Sequence, residues 1–187
     1  MIETPAPRPS SRNPLRVGIL VGVALVVAAL VWALVISGGS KDSSSDASKP
    51  TATTVAGLEQ LAGTLRHPIY WAGDKTGYTY ELTRTKNDNV YVRYLPKGVQ
   101  VGDSRANFLT VGTYPQANPM RTITAALKRK GTTRFVVPGG GVAVQYAAHP
   151  TSVYIAFPGS NLLIEVFEPA PAQARAVARS GAIRPLR

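Results

Sequence analysis

Cysteine is absent from the 187 residues, and there are only two histidines and two methionines. Without cysteine there is no disulfide framework, thiolate metal site, iron–sulfur cluster or cysteine nucleophile. Two histidines, His67 and His149, cannot build a histidine-rich metal centre, so neither a metal nor a cofactor is expected. No GxSxG elbow, HExxH zinc helix or P-loop occurs, so no catalytic residue is assigned. Carboxylates are scarce as well. Ten Asp and Glu stand against 21 Lys and Arg, a formal net charge of +11. A hydrophobic share of 44% nevertheless excludes a wholly disordered chain.

What the sequence does contain begins with a long apolar run. Val17 to Ile36 is 20 residues without a charge. As a helix rising about 1.5 Å per residue, it matches the roughly 30 Å hydrocarbon core of a bilayer. A cleavable signal peptide usually has an apolar region of only about 7–15 residues, and Ser37-Gly38-Gly39 before Ser40 is a poor cleavage site. The reading is therefore one uncleaved transmembrane helix over 17–36, preceded by a cytoplasmic tail over 1–16. Arg8, Arg12 and Arg16 precede the run, against Lys41 and Lys49 after it. That bias holds the N-terminus in and places the main domain outside the cytoplasm. Gly18 and Gly22 form a GxxxG pair, a spacing that lets two helices pack closely in lipid and offers a homodimer contact.

Residues 37–54 are rich in Ser, Thr, Asp and Lys and read as a flexible linker. Residues 55–187 are long enough for one core. After Thr54, a good N-cap, Val55, Leu58, Leu61, Ala62 and Leu65 recur at helical spacing up to Pro68. Asn118-Pro119 announces a second helix with Met120, Ile123 and Leu127 on one face and Gly131 beyond its end. A third runs from about Pro171 to Ser180 before Gly181. Between them lie Val-, Ile-, Tyr- and Thr-rich strands. The pattern predicts an α+β fold with a mainly antiparallel sheet and about three helices. Alternation puts Tyr78, Tyr80 and Leu82 on the same face as Val90, Val92 and Tyr94 if an odd number of residues joins them, and Asn87-Asp88-Asn89 reads as that three-residue turn, with an Asn at positive φ. Gly139-Gly140-Gly141 lies between two strand-like runs and reads as a hairpin turn, not a phosphate cradle, which needs a following helix N-terminus.

An internal repeat is visible at an offset of 84: the segment from Pro68-Ile69-Tyr70 to Glu81-Leu82 matches Ser152-Val153-Tyr154 to Glu165-Val166. It suggests two related helix-plus-hairpin units. Each hairpin would set a Tyr opposite a Glu, Tyr70 opposite Glu81 and Tyr154 opposite Glu165. A carboxylate beside a phenol suits acid–base chemistry if its pKa is tuned, though a cross-strand surface contact is the commoner use. The two histidines each precede proline and read as exposed loop residues. Lys128, Arg129 and Lys130 close the second helix, where cations complement the dipole.

Residues 51–187 carry sixteen cations and seven carboxylates. Arg84 and Arg93 are the candidate contacts for an anionic ligand. Aromatic residues interleave with some of the cations, but a basic surface facing an anionic envelope accounts for the charge more simply than specific nucleic-acid binding. The stretches His67–Gly73, Tyr80–Arg84, Val90–Pro96 and Leu109–Pro115 resemble membrane-anchored proteins of high-GC Gram-positive bacteria. That resemblance implies an anchor followed by a folded module, and no activity or functional residues come with it. Three functional readings follow. The first is a non-enzymatic, membrane-tethered extracytoplasmic module for an envelope polymer, an anionic lipid headgroup or a protein partner. The second is an envelope-polymer hydrolase or transferase using Glu81 and Glu165. The third is a sensor or regulatory subunit.

Overall fold

The computed structural model describes residues 47–186. The transmembrane reading of 17–36, the Gly18/Gly22 contact and the cytoplasmic tail lie outside those residues. Among the described residues no helix is long and apolar enough to cross a membrane.

In chain order the elements are β1 (Thr51–Thr53), α1 (Val55–Thr64), β2 (Ile69–Trp71), β3 (Tyr78–Arg84), β4 (Val90–Pro96), β5 (Thr110–Pro115), α2 (Pro119–Leu127), β6 (Thr132–Val137), β7 (Gly141–Tyr146), β8 (His149–Ala156), β9 (Leu162–Phe167), α3 (Pro171–Arg179) and β10 (Arg184–Leu186). The fold is α+β, as its alternating strands and capped helices predict. Eight strands form one antiparallel sheet in the order β1-β3-β4-β5-β9-β8-β7-β6, and β2 pairs with β10 in a separate ribbon.

Local signals account for the helix ends. The Thr54 hydroxyl accepts from the Gly57 N–H at 3.1 Å, satisfying one of the donors that a helix start leaves open. Asn118 caps α2 with Pro119 in its first turn, and Gly131 and Gly181 take positive φ after α2 and α3. On α2 the buried residues are Pro119, Ile123 and Ala126. Leu127 is among the exposed large apolar residues, so Ala126 takes the core place expected of it.

The β3–β4 register is the expected one, with Tyr80 opposite Tyr94 and Leu82 opposite Val92. The connection is longer than the three-residue turn expected: five residues, still an odd number, join these strands, and Asp88, not an Asn, holds the positive φ of 59°. Val153 and Ile155 lie opposite Val166 and Ile164, also as expected. Gly139 and Gly140, both at positive φ, turn the β6–β7 hairpin.

Three further expectations are corrected. Tyr70 does not face Glu81, because β2 leaves the sheet and pairs with β10, with Tyr70 opposite Pro185. The offset-84 repeat therefore joins unlike places: β3 lies second in the sheet order and β9 fifth, and only the second copy is a hairpin. The linker also ends earlier than composition suggests. Ala47 bridges to Thr85, and β1 extends the sheet along β3.

One sheet face carries Tyr80, Val92, Tyr94, Val111, Ile155, Ile164 and Val166 and is covered by α1, α3 and the β2–β10 ribbon. Trp71 is buried there, although through the ribbon and not through a β2–β3 hairpin. Tyr94 ties the layers together: its hydroxyl accepts from the Ala72 N–H at 2.7 Å and donates to the Gly73 carbonyl at 3.1 Å. The opposite face is covered by α2 over β6, β7 and β8, and by the 97–109 loop over β3 and β4. Between these two covers lies the site.

Candidate functional site

Strand β9, Leu-Leu-Ile-Glu-Val-Phe, is buried along its whole length. Alternation sends Ile164 and Val166 to the first face, and Leu163, Glu165 and Phe167 to the second. Glu165 is thus built into the centre of the sheet, 1% exposed. Its neighbours form a row across the strands. Thr83 lies opposite Tyr91, Tyr91 opposite Gly112, Gly112 opposite Glu165, and Glu165 opposite Tyr154.

Gly112 is what makes this arrangement possible. A Cβ there would stand 2.6 Å from the Tyr114 hydroxyl oxygen. The missing side chain lets Tyr114 lean back along β5 and donate to Glu165 Oε2 at 2.5 Å. Tyr91 packs edge-on against Tyr114, with ring centroids 5.6 Å apart. Three buried oxygens in this row have no hydrogen-bond partner: Thr83 Oγ1, Tyr91 Oη and Glu165 Oε1. Orphaned buried polar atoms are rare and costly, and here they share one row.

Burial pushes the Glu165 carboxyl up to about 7, against the opposing effect of the Tyr114, Ser152 and Tyr154 hydroxyls. Burial likewise raises Tyr91, Tyr114 and Tyr154, and the Glu165 charge adds to it. The phenols stay protonated at neutral pH, while the carboxyl sits where it can either hold or release a proton.

Above the row, Arg105, Ala106 and Phe108 roof a cavity of about 20 Å³, walled by Tyr91, Tyr114, Glu165 and Phe167. That is enough for one water-sized group, for which about 10–15 Å³ suffices. Both arginines at its edge are already engaged. Arg93 donates to Glu81 Oε1 at 2.5 Å and to the Asp103 and Arg105 carbonyls at 3.0 Å. Arg105 forms a fork with Asp103, holding that carboxyl down at about 2. Both guanidinium groups flank Phe108, at 5.3 and 5.5 Å from its ring centre.

Neither a protein-family model, nor a curated protein, nor a solved structure matches the chain. The chemistry therefore rests on the residues themselves.

Of the residues singled out in the sequence, Tyr154 and Glu165 are brought together as expected. Glu81 is fully buried, but its oxygens are occupied by Arg93 and by the Gly102 N–H at 2.5 Å. Glu81 and Glu165 stand three strands apart and two residues out of register, at least about 14 Å at about 4.8 Å per strand. Paired carboxylates of glycoside hydrolases work at about 5–9.5 Å, so these two do not form such a pair. Tyr70 is in the core, stacked on Phe157, and its N–H donates to Thr113 Oγ1. Arg84 is paired with Asp88 at the surface, and Arg93 is buried, so neither is the open basic contact expected of it. His67 is half-buried, with Nδ1 at the Pro68 carbonyl and an unpartnered Nε2. His149 begins β8 instead of lying in a loop. Among the described residues no group of acidic, His or Cys side chains could hold a metal ion.

Sequence reading missed Gly112, Tyr91, Tyr114 and the 97–109 roof. Gly112 carried a usable signal, since a glycine inside a strand often marks a close approach.

Proposed function

We propose that the chain is a membrane-tethered extracytoplasmic binding module that engages an anionic envelope polymer through the surface formed by α2 and β6. The tether rests on the uncharged run from Val17 to Ile36 and on the arginines before it. The resemblance to membrane-anchored proteins of high-GC Gram-positive bacteria has the same layout. The observation that carries the binding reading is the local charge. Residues 104–164 contain six Lys and Arg and no carboxylate. In the fold, Arg121, Lys128, Lys130 and Arg134 from this stretch are all exposed. Arg134 lies opposite Val144, on the sheet face that α2 covers, so these cations border a single surface. Such a surplus raises the local concentration of polyanions.

The test is sedimentation of the purified chain with cell-wall fragments, with anionic vesicles in parallel, at low and high salt. Exposed charges are screened over about 8–10 Å at physiological ionic strength, so binding to the wall fragments should fall steeply as salt rises. Lys128→Gln, Lys130→Gln and Arg134→Gln together should abolish most of it, and Arg84→Gln should change it little. Salt-independent binding points to an uncharged or protein partner instead, and vesicle binding alone points to lipid headgroups. Release of soluble fragments that Glu165→Gln abolishes would favour a hydrolase working through that one carboxyl.

A further inference from the structure

We infer that the recess over Glu165 is a second binding site, separate from the α2–β6 surface, and that it takes the ammonium end of an unbranched aliphatic amine. The first reason is charge. Glu165 is buried beside two arginines that are each committed to another carboxylate, Arg93 to Glu81 and Arg105 to Asp103. It has hydroxyl neighbours but no cation of its own among the hydrogen-bond partners of its carboxylate. A buried carboxylate without a countercharge is expensive to keep.

The second reason is donor and acceptor count. Tyr114 donates to Oε2, and the Ser152 and Tyr154 hydroxyls lie near the carboxyl, yet Glu165 Oε1 and the Tyr91 hydroxyl oxygen have no partner at hydrogen-bond geometry. An ammonium has three N–H donors and no acceptor, so it satisfies both oxygens at once. A metal ion would need about six oxygen ligands, more than this row supplies. The third reason is size and lining. About 20 Å³ admits one –NH₃⁺ group but not a trimethylated head or a sugar ring. Tyr91, Tyr114, Phe108 and Phe167 offer aromatic surface around it, which favours a cation over a neutral group.

The pH dependence of binding follows from the groups facing Glu165. These are Tyr91 and Arg93 on β4, Tyr114 on β5, Tyr154 on β8 and Arg105 on the roof, while α2 contributes the apolar Met120, Ile123 and Ala126. The phenols, raised by burial, stay protonated between pH 5.5 and 8.5. An alkylammonium also keeps its charge there, as lysine does near 10.4. Only Glu165 titrates in that range, so affinity should rise about thirtyfold across it if the carboxyl changes state near 7.

The experiment is calorimetric titration of the full-length chain in neutral detergent with n-pentylamine, its N,N,N-trimethyl counterpart and n-pentanol. The amine should bind once and saturably, and the other two at least tenfold more weakly. Glu165→Gln should lose at least tenfold, and Tyr91→Phe, which keeps the ring and removes only the open oxygen, several-fold. Lys128→Gln with Lys130→Gln should leave amine binding unchanged, which separates this site from the polymer surface. Equal binding of the trimethylated compound, an unaffected Glu165→Gln variant, a flat pH profile, or no saturable amine binding by the folded wild-type chain would each overturn the inference. The last result would mean that the recess holds only water. Competition by phosphatidylethanolamine vesicles would assign the amine to a lipid headgroup, and lack of competition to a free amine.

Discussion

Glu165 shows how one residue can set both stability and chemistry. In the unfolded chain its carboxyl titrates near 4.5, and in the fold burial raises that to about 7. A raised carboxyl means that the native state binds the proton more tightly than the unfolded state does. Stability should be complete below the unfolded value, fall as pH climbs from about 4.5 to 7, and stay lower above it. The rise from 4.5 to about 7 corresponds to about 3 kcal/mol, each tenfold gain in proton affinity being worth about 1.36 kcal/mol. Glu165→Gln removes the titration. Relative to wild type, it should therefore gain about 3 kcal/mol on going from pH 4 to pH 8, read from denaturant unfolding at both values. A difference that does not change with pH would place Glu165 in a wetter setting than its 1% exposure implies.

Among the elements, the 97–109 loop depends on a partner that local sequence does not reveal. Glu81 and Arg93 sit opposite each other on β3 and β4, on the sheet face that simple alternation assigns to solvent. The loop folds over them: Arg93 donates to the Asp103 and Arg105 carbonyls, and Glu81 accepts from the Gly102 N–H. The pair fastens the roof of the recess. Breaking one side of a buried ion pair costs about 3–5 kcal/mol, because the surviving charge is left without its partner, whereas replacing both by apolar residues is often neutral. Glu81→Gln should destabilise the protein by that amount and expose the loop to proteases. Glu81→Leu combined with Arg93→Met should recover most of the stability while leaving the roof loose, as limited proteolysis within 97–109 would report.

The same pair marks where sequence reading reaches its limit. The caps at Thr54 and Asn118, the stops at Gly131 and Gly181, and the β3–β4 and β8–β9 registers follow from neighbours a few residues apart. These were legible because periodicity and turn chemistry are local. That β2 pairs with β10, more than a hundred residues away, is not a local property. Nor is the covering of the second face by a loop of low periodicity. Glu165 could be singled out as a carboxylate opposite a tyrosine. Its burial beneath Phe108 and its contact with Tyr114 through the gap at Gly112 depend on strands brought together from elsewhere in the chain.

At the scale of the whole molecule, the proposed tether would govern which partners the domain meets. The described residues begin at Ala47, bridged to Thr85 beside the β3–β4 turn. Ten residues separate it from Ile36, and even fully extended they span no more than about 36 Å. If the proposed span anchors it, a domain held that close would meet only what lies at one membrane face, and the side on which it emerged would decide whether its basic α2–β6 surface met envelope polymers or cytoplasmic nucleic acids. Three arginines before the apolar run outweigh two lysines after it, and Lys49 already belongs to the described part of the domain. Positive charge close to a span retains the flank that carries more of it on the cytoplasmic side. An alkaline phosphatase reporter fused after Arg187 should therefore be active, and a β-galactosidase fusion at the same point inactive. Replacing Arg8, Arg12 and Arg16 by glutamine should erode that bias and give mixed activity. The reverse pattern in the unaltered chain would place the domain in the cytoplasm and remove envelope polymers from its reach.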